Sequence, residues 1–220
     1  MNQSLDSVRM TTAKDFLTDR MKRLFDMVAG MIILLLGVPL MGLVALLIKL
    51  DSQGPVFYID NRLGKNGRYF PCFKFRTMKH NCDSTLAEYL RTEPTAGEEW
   101  GKFAKLRCFD PRLTGLGSKL RKYSIDELPQ IINVIKGEMS LVGPRPYLPR
   151  EREQMGYSAN IILQMTPGIT GLWQVRGRNS IDFSGRLLLD TWYVQNQTIW
   201  LDMIILVQTI RVVLTGRDAY

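Results

Sequence analysis

An uncharged, strongly apolar run from Met27 to Ile48 constrains the fold of this chain more than any other feature. As a helix rising about 1.5 Å per residue, the run just reaches across a hydrocarbon layer roughly 30 Å thick. Gly37 and Pro39 lie in its middle, and a proline there removes a helical hydrogen bond and can bend the helix. The run therefore predicts either a membrane-spanning anchor or a re-entrant segment that enters and leaves the membrane on one face.

Basic residues on both sides of the run favour the re-entrant alternative. They are Arg20, Lys22 and Arg23 before the run, and Lys49, Arg62, Lys65 and Arg68 after it. Positive flanks are retained on the cytoplasmic side of a membrane, so charge at both ends predicts both ends on one face. We therefore predict a helix-break-helix over residues 21–50, with its break at Pro39. A polar N-terminal arm over residues 1–20 precedes it, and a cytosolic domain over residues 51–220 follows.

The net charge of +8 over 220 residues predicts an anionic partner. Nucleic acid, acidic lipid and phosphorylated substrates all fit that charge, but nothing beyond charge supports nucleic acid and we expect none. Three cysteines without paired spacing argue against a disulfide framework and favour a reducing compartment. Cys72, His80 and Cys82 lack a fourth ligand at zinc-site spacing, so no structural zinc site is expected.

The stretch from Leu120 to Pro146 is the strongest candidate for a functional site. It places the adjacent acids Asp126 and Glu127 shortly after a basic cluster and ahead of the stiff turn Gly-Pro-Arg-Pro that contains Arg145. Acids, cations and stiff turns close in sequence suit a site that handles phosphate together with a divalent metal.

The same acids also have a purely structural interpretation. Ser124 and Glu127 have the spacing of a capping box, in which each side chain satisfies a backbone N–H at the start of a helix. Acids in a first helical turn also complement the helix dipole. In both interpretations the acid pair lies at a helix start, where a phosphate also binds readily.

A β-hairpin is predicted before this stretch, with its turn at Asn66-Gly67. Its second strand, within Tyr69 to Met78, would place Phe73 and Phe75 on one face and Lys74 and Arg76 on the other. This pattern has two interpretations. Lys74 and Arg76 form either the solvated basic face of an ordinary amphipathic strand or a pair of cations that face a phosphate.

The remaining segments indicate a fold of the α+β class that is mainly α. Residues 83–105 are expected to be partly helical and broken at Glu93-Pro94, and residues 147–165 to form a helix with mixed charges. Ile199 to Leu214 is apolar but interrupted by polar residues, which favours an interfacial amphipathic helix over a membrane span.

Five motifs occur in the order found in one enzyme family. They read Lys22-Arg23-x-Phe25-Asp26, Lys74 to Met78 (KFRTM), Asp126 to Gln130 (DELPQ), Gly137 to Pro146 (GEMSLVGPRP) and Pro167 to Gly171 (PGITG). Through these motifs nearly the whole chain resembles the bacterial sugar transferases, the monotopic phosphoglycosyl transferases. The resemblance implies a re-entrant membrane helix whose proline occupies the same place in the apolar run.

The resemblance also implies roles for individual residues. Asp126 matches the nucleophile of the family and Glu127 its partner acid, and both are expected to hold Mg²⁺. The residues expected to bind phosphate or substrate are Lys74, Arg76, Arg121, Arg145 and Asp190.

The activity implied is transfer of a sugar-1-phosphate from a UDP-sugar to undecaprenyl phosphate, with release of UMP, as the first membrane step of exopolysaccharide, capsule or O-antigen synthesis. Galactose-1-phosphate is expected first, because GLWQVRGRN and DTWYVQNQTIW look most like the galactose members. Glucose-1-phosphate and N-acetylhexosamine-1-phosphate stay open. The implied location is the cytoplasmic face of the bacterial inner membrane, in contact with lipid, and a homodimer is left open. The competing class is a membrane-anchored, non-catalytic binding protein.

Overall fold

The structure is a computed structural model that describes residues 13–79, 82–103, 106 and 109–215. The α-helices of the described residues are α1 (Ala13–Asp51), α2 (Asp83–Thr92), α3 (Pro94–Phe103), α4 (Gly115–Lys122), α5 (Ile131–Lys136), α6 (Arg152–Met155), α7 (Ser158–Ile162), α8 (Leu172–Arg176), α9 (Phe183–Asn196) and α10 (Ile199–Thr215). The strands are β1 (Phe57–Leu63), β2 (Tyr69–Phe75), β3 (Ser140–Val142) and β4 (Gly168–Thr170). The mainly helical α+β class predicted from the sequence is therefore confirmed. Residues 1–12 of the predicted arm, together with His80, lie outside the described residues.

The apolar run forms the centre of α1, which is one uninterrupted helix. The predicted break at Pro39 is therefore wrong as an interruption of the helix. Proline has no backbone N–H, so one helical hydrogen bond is missing, and a long helix accommodates that loss by bending. Within the described part of the chain, Asp19–Asp51 is the stretch long and apolar enough to cross a membrane by length and composition. Only 11% of its most apolar 18-residue window is buried, so it is not the core helix of a soluble domain.

Polar contacts attach the N-terminal part of α1 to the rest of the protein. Arg23 donates through its guanidinium to the carbonyl oxygens of Val134 and Ile135, at the end of α5. Lys22 forms a 2.6 Å ion pair with Asp202 at the start of α10, and Asp26 accepts the backbone N–H of Leu141. Because carbonyls at a helix C-terminus attract cations, Arg23 both caps α5 and fixes α1 against it.

The C-terminal end of α1 is held by Arg76, which directly follows β2. Its Nη1 donates to the carbonyl oxygen of Gln53 at 2.8 Å, and its Nη2 donates to the carbonyl oxygen of Ser52 at 2.7 Å and of Ile48 at 3.4 Å. Val44 and Ile48 pack beside this contact against Phe75 and the α4 residue Leu120. Both ends of the apolar helix are therefore bound to the same domain.

The predicted hairpin is confirmed. β1 and β2 pair antiparallel from Phe57–Phe75 to Leu63–Tyr69, and a short 3₁₀ turn with Asn66 at φ 60° joins them. Of the two alternatives left open for β2, the solvated basic face is wrong, because Lys74 shares its face with the buried residues Phe70 and Cys72. That face packs against a 3₁₀ helix, Ile125–Gln130, which carries the acid pair.

A second, parallel pair of short strands brings two of the sequence motifs together. β3 aligns Ser140 with Gly168 and Val142 with Thr170 of β4. A Cβ atom on Gly168 would lie 2.1 Å from the backbone nitrogen of Gly143, closer than atoms can approach. The glycines of GPRP and PGITG are therefore required by the contact of two backbones, and that contact fixes the loop that carries Arg145.

The structure confirms some of the other helix predictions and corrects one. Residues 83–103 form α2 and α3, divided at Glu93 as predicted. The predicted C-terminal helix is present as α10, and its interfacial position stays a prediction. The single helix predicted over residues 147–165 is wrong. Gly156 adopts φ 51°, which ends α6 and separates it from α7.

We predict that Arg76→Met lowers the free energy of unfolding by about 2–4 kcal/mol, because several hydrogen bonds from one buried guanidinium are lost. Urea unfolding in detergent micelles measures the change. Arg76→Lys should recover part of it, since lysine keeps the charge but reaches fewer carbonyls.

Arg68→Met, which removes an exposed arginine from the same hairpin, is the matched control and should change stability little. If Arg76→Met left stability unchanged while activity fell, Arg76 would be acting as the phosphate ligand expected from the sequence and not as a cap on α1.

Candidate active site

A cavity of about 800 Å³ lies between the β1–β2 hairpin, the 3₁₀ helix Ile125–Gln130, the loop after β3 and α8. Its volume suits a nucleotide-sized ligand. Among the described residues that line it, nine are lysine or arginine and three are acidic. Such an excess of cations predicts a ligand with several negative charges, since each charge buried without a partner is costly.

The acid pair lies in this cavity at the start of the 3₁₀ helix, as the sequence predicts, but not through a capping box. Ser124 adopts the left-handed conformation (φ 55°) and makes no side-chain cap, while its hydroxyl accepts a hydrogen bond from Arg178. Glu127 binds Lys74 instead of reaching back to the backbone of Ser124. Because neither half of the box forms, capping does not explain why two acids stand here.

Lys74 and Glu127 form an ion pair across the cavity wall. The Lys74 Nζ and Glu127 Oε1 atoms are 2.7 Å apart, and about a quarter of each side chain is exposed. Burial opposes the charge on Lys74, but Glu127 and then Asp126 outweigh it and raise the pKa of the ammonium. Burial likewise opposes the charge on Glu127, and Lys74 outweighs it and lowers the pKa of that carboxyl. Glu127 is therefore held as a carboxylate.

Asp126 has a different environment from its neighbour. Burial raises the pKa of the Asp126 carboxyl, Lys74 offsets part of this effect, and the charge on Glu127 adds to it. The side chain is 8% exposed and lines the cavity. A carboxylate with a raised pKa is more basic, and hence more nucleophilic, than an exposed one. The pair thus combines one fixed anion with one more reactive carboxyl group.

Two predicted arginines lie on the cavity wall as expected. Arg121, on α4, donates through Nε to the Thr77 hydroxyl at 2.9 Å, which leaves the rest of its guanidinium toward the cavity that it lines. The Arg145 guanidinium lies 5.5 Å from the ring centroid of Trp173. Both arginines have the fixed fork geometry that binds phosphate oxygens.

The structure places the other two predicted binding residues differently. Arg76 lines the cavity, but both of its terminal nitrogens donate to the end of α1. Asp190 is fully buried behind the cavity wall, where its Oδ2 accepts the Arg145 backbone N–H and the Tyr147 hydroxyl, each at 2.9 Å. This geometry makes Arg76 a link to α1 and Asp190 a support for the Arg145 loop.

The cavity residues that were not identified as site residues from the sequence include Arg112, Arg178, Gln130 and Trp173. Arg112 pairs with Asp110 through two hydrogen bonds, at 2.8 and 2.7 Å. Its hydrogen bonds outweigh burial and lower the pKa of Asp110. Arg178 has a positive φ of 44°, which is unusual for arginine. Gln130 lies in the DELPQ motif, and Trp173 and Arg178 lie in GLWQVRGRN, but only the fold shows that these residues and Arg112 reach one cavity.

Comparison with known proteins agrees with this arrangement. The family described as bacterial sugar transferase matches residues 17–216. The chain is 46% identical over 199 residues to the exopolysaccharide production protein ExoY of Rhizobium meliloti, and the match covers 90% of this chain and 88% of that protein. The chain therefore belongs to the bacterial sugar transferase family.

Two further relatives carry names that specify a sugar. The undecaprenyl-phosphate galactose phosphotransferase of Salmonella typhimurium is 46% identical over 200 residues, which cover 91% of this chain but 42% of that protein. The undecaprenyl-phosphate glucose phosphotransferase of Komagataeibacter xylinus is 42% identical over 212 residues, 90% of this chain and 37% of that protein. The chain thus spans less than half the length of these two relatives.

We predict that Asp190 makes the stability of the protein fall as pH rises. Burial raises the pKa of Asp190 to about 7, despite hydrogen bonds from Arg145 and Tyr147 and the nearby Arg186 guanidinium. An unfolded aspartate releases its proton near pH 4, so the stabilising contribution of the native, protonated group is complete below that pH and is lost as pH rises toward 7. Between pH 5 and pH 8 the free energy of unfolding of the wild type should fall by up to about 3 kcal/mol relative to that of Asp190→Asn.

Asp190→Asn is informative because an amide oxygen still accepts from Arg145 and Tyr147 but cannot ionise. Denaturant unfolding of both proteins across this pH range measures the difference, and Asp19→Asn, at an exposed position, controls for the loss of one charge. Parallel pH profiles for wild type and Asp190→Asn would contradict the prediction.

Proposed function

We propose that this protein transfers a sugar-1-phosphate from a UDP-sugar to undecaprenyl phosphate, releasing UMP, in the first membrane step of exopolysaccharide, capsule or O-antigen synthesis. The observation that carries the proposal is the position of Asp126 and Glu127 in a cation-lined cavity attached to the end of an apolar helix. That arrangement serves a reaction in which one anionic substrate is soluble and the other is a lipid.

The reaction proceeds in two displacements at one phosphorus. A carboxylate oxygen of Asp126 attacks the β-phosphorus of the UDP-sugar, and the bond from that phosphorus to the bridging oxygen breaks, so that UMP leaves with the electron pair. A phosphate oxygen of the lipid then attacks the sugar-phosphoryl-aspartate, and the Asp126 carboxylate leaves. Splitting one difficult transfer into two displacements is the advantage of a covalent intermediate.

The surrounding cations offset the repulsion between an anionic nucleophile and an anionic phosphate. Lys74 holds Glu127 and lies close to Asp126, while Arg121 and Arg145 line the same cavity. Arginine and lysine fixed before the reaction stabilise the charge that develops on a transferring phosphoryl group, without reorganisation during the step.

Mg²⁺ is the metal that we propose for this site. Asp126 and Glu127 give the cavity two adjacent acids. Among the described residues no group of three or more His, Cys, Asp or Glu side chains could hold a metal ion. Two carboxylates suffice for Mg²⁺, which typically takes its other ligands from water and substrate phosphates, so the residues fit this ion. When bound, it would supply additional positive charge at the diphosphate.

The apolar surface beside the cavity supports a lipid acceptor. Phe57, Tyr58 and Ile59 are consecutive residues of β1 and all are about half exposed, although neighbouring residues of a strand point to opposite faces. Phe57 and Tyr58 also line the cavity. Exposed apolar side chains on both faces of a strand are unfavourable in water, so this strand suits contact with the polyprenyl chain or with the membrane.

The attachment of α1 supports a re-entrant topology on the cytoplasmic face of the bacterial inner membrane. Arg23 and Ile48 are about 38 Å apart along a straight helix, more than the thickness of the hydrocarbon layer, yet both contact the same domain. Between Leu34 and Met41, which pack on the domain, Leu35, Leu36 and Val38 to Leu40 are exposed. A helix that is held at both ends and leaves the protein at its middle fits a segment that dips into one leaflet.

Galactose is the sugar that we propose first, because a relative at 46% identity is named for galactose phosphotransfer. Glucose-1-phosphate is the alternative supported by the relative from Komagataeibacter xylinus, and an N-acetylhexosamine-1-phosphate is the other. The donor panel in the next experiment separates the three.

We predict that lipid-reconstituted wild type releases UMP from one UDP-sugar in the presence of Mg²⁺ and undecaprenyl phosphate. Asp126→Asn should lower the rate by at least about a thousandfold, because an amide cannot form the acyl phosphate. Asp19→Asn, an exposed substitution of the same kind, should retain activity. Folding of each variant is checked by its melting temperature.

Two results would contradict this proposal. UMP release that survives Asp126→Asn would remove Asp126 as the nucleophile. Folded wild type that releases no UMP from any donor would favour the non-catalytic, membrane-anchored binding protein.

We predict that single cysteines at positions 19 and 153, on either side of the apolar run of α1, are both protected from a membrane-impermeant maleimide in intact spheroplasts. Both native residues are exposed, and both cysteines should be labelled after permeabilisation if the two flanks lie on the cytoplasmic face. Labelling of only one position in intact cells would show that α1 spans the membrane.

A further inference from the structure

Three neutral polar side chains line the cavity with polar atoms that lack a partner. They are Gln130 at the end of the 3₁₀ helix, and Trp173 and Gln174 in α8. Within the described part of the chain, the buried atoms Gln130 Nε2, Trp173 Nε1 and Gln174 Oε1 have no hydrogen-bond partner. Gln130 is 1% exposed and Trp173 is 6% exposed. Unpartnered polar atoms at such burial are rare, and at the wall of a cavity they indicate a ligand that completes them.

The surroundings of Trp173 restrict what its ring can do. The Arg145 guanidinium lies 5.5 Å from the ring centroid and the Arg186 guanidinium 5.2 Å from it. The backbone N–H of Arg145 donates to Asp190, and the Nε of Arg186 donates to the Ile181 carbonyl. With two guanidinium groups against its ring, the indole is a poor stacking platform for a uracil ring. The indole N–H is the group that it can offer to a ligand.

Gln174 is fixed in a way that leaves one specific atom for a ligand. Its Nε2 donates to the Ile169 carbonyl at 2.8 Å, so its Oε1 is the atom without a partner. The cavity therefore presents two neutral donors, on Gln130 and Trp173, and one neutral acceptor. Hydroxyl groups both donate and accept hydrogen bonds and carry no charge, so they match this set. Phosphate oxygens, in contrast, are matched by cations of the same cavity such as Arg121 and Arg145.

We infer that Gln130, Trp173 and Gln174 form the subsite for the hydroxyl groups of the transferred sugar and determine which sugar is accepted. This inference rests on the proposed function, because it requires a sugar phosphate in the cavity. A buried wall built to hydrogen-bond a hydroxyl discriminates strongly against a substrate that places the hydroxyl elsewhere, since protein groups are then left unpaired. Epimers such as galactose and glucose differ in that respect alone.

Trp173→Phe tests the inference, because phenylalanine keeps an aromatic ring beside the two arginines and removes the N–H. Initial rates of UMP release are measured in lipid with UDP-galactose, UDP-glucose and UDP-N-acetylgalactosamine, together with inhibition by UDP. We expect kcat/KM for the preferred donor to fall about tenfold, with a smaller loss for the other donors. The preference among sugars therefore narrows while inhibition by UDP is unchanged.

Gln130→Met removes the second donor and leaves Trp173 in place. If Trp173→Phe does not fold, Gln130→Met provides the test and should narrow the preference among sugars in the same way. Trp200→Phe, at an exposed position on α10, is the matched control and should leave the preference intact. Trp173→Leu removes the ring that contacts both arginines and should lower turnover with every donor.

Several results would overturn the inference. An equal loss with every donor together with weaker inhibition by UDP would assign the N–H to the nucleotide. Unchanged kinetics in both Trp173→Phe and Gln130→Met would show that the unpaired atoms bind only water. If wild type releases no UMP from any donor, the proposed function itself fails, whereas an active enzyme with unaltered sugar preference contradicts this inference alone.

Discussion

The hydrogen bonds from Arg76 to the last turn of α1 and to the two residues after it connect the apolar helix to the candidate site. Arg76 directly follows β2, and Lys74 lies two residues earlier, so that both side chains point to the same side of the chain. Their Cα atoms are about 7 Å apart in an extended chain. Lys74 in turn holds Glu127, next to Asp126. A single stretch of backbone therefore sets the position of both acids relative to the end of the apolar helix. The transfer that we propose, from a soluble substrate to a lipid phosphate, would need this coupling, because it would keep the Asp126 carboxylate at the level of the headgroups.

The balance of charge in the cavity explains why two adjacent acids can exist there. Glu127 is neutralised by Lys74, while Asp126 is buried with its charge only partly offset. The cations of the cavity outnumber its acids, and Arg121 and Arg145 are among those that line it. The site is thus polarised before any substrate enters, which is the condition under which electrostatic stabilisation of phosphoryl transfer is largest.

The sequence predicted those features that depend on local patterns. The apolar run, the hairpin turn at Asn66-Gly67 and the acid pair at a helix start were all found where the residues indicated. The errors arose where tertiary contacts decide. The pattern of Ser124 and Glu127 is that of a capping box, but Arg178 and Lys74, which are distant in sequence, take the two side chains.

Asp190 illustrates the same limit. Family position alone placed it near the substrate, but whether a carboxylate reaches a ligand or supports a loop depends on the direction of its side chain, which the fold determines. The identity of a residue therefore predicted the neighbourhood correctly and could not predict the contact.

The close packing of β3 against β4 relates the phosphate side of the cavity to its neutral side. Gly143 and Gly168 bring the loop of Arg145 and the segment leading into α8 into backbone contact, and the Arg145 guanidinium then lies on the ring of Trp173. The group that would stabilise the transferring phosphoryl and the group that would recognise the sugar are consequently parts of one rigid unit. A sugar that misplaces its hydroxyl on α8 would also be displaced relative to Arg145 and Asp126. Selection of the sugar would then act on the rate of transfer as well as on binding, because a small error in alignment slows a displacement reaction strongly.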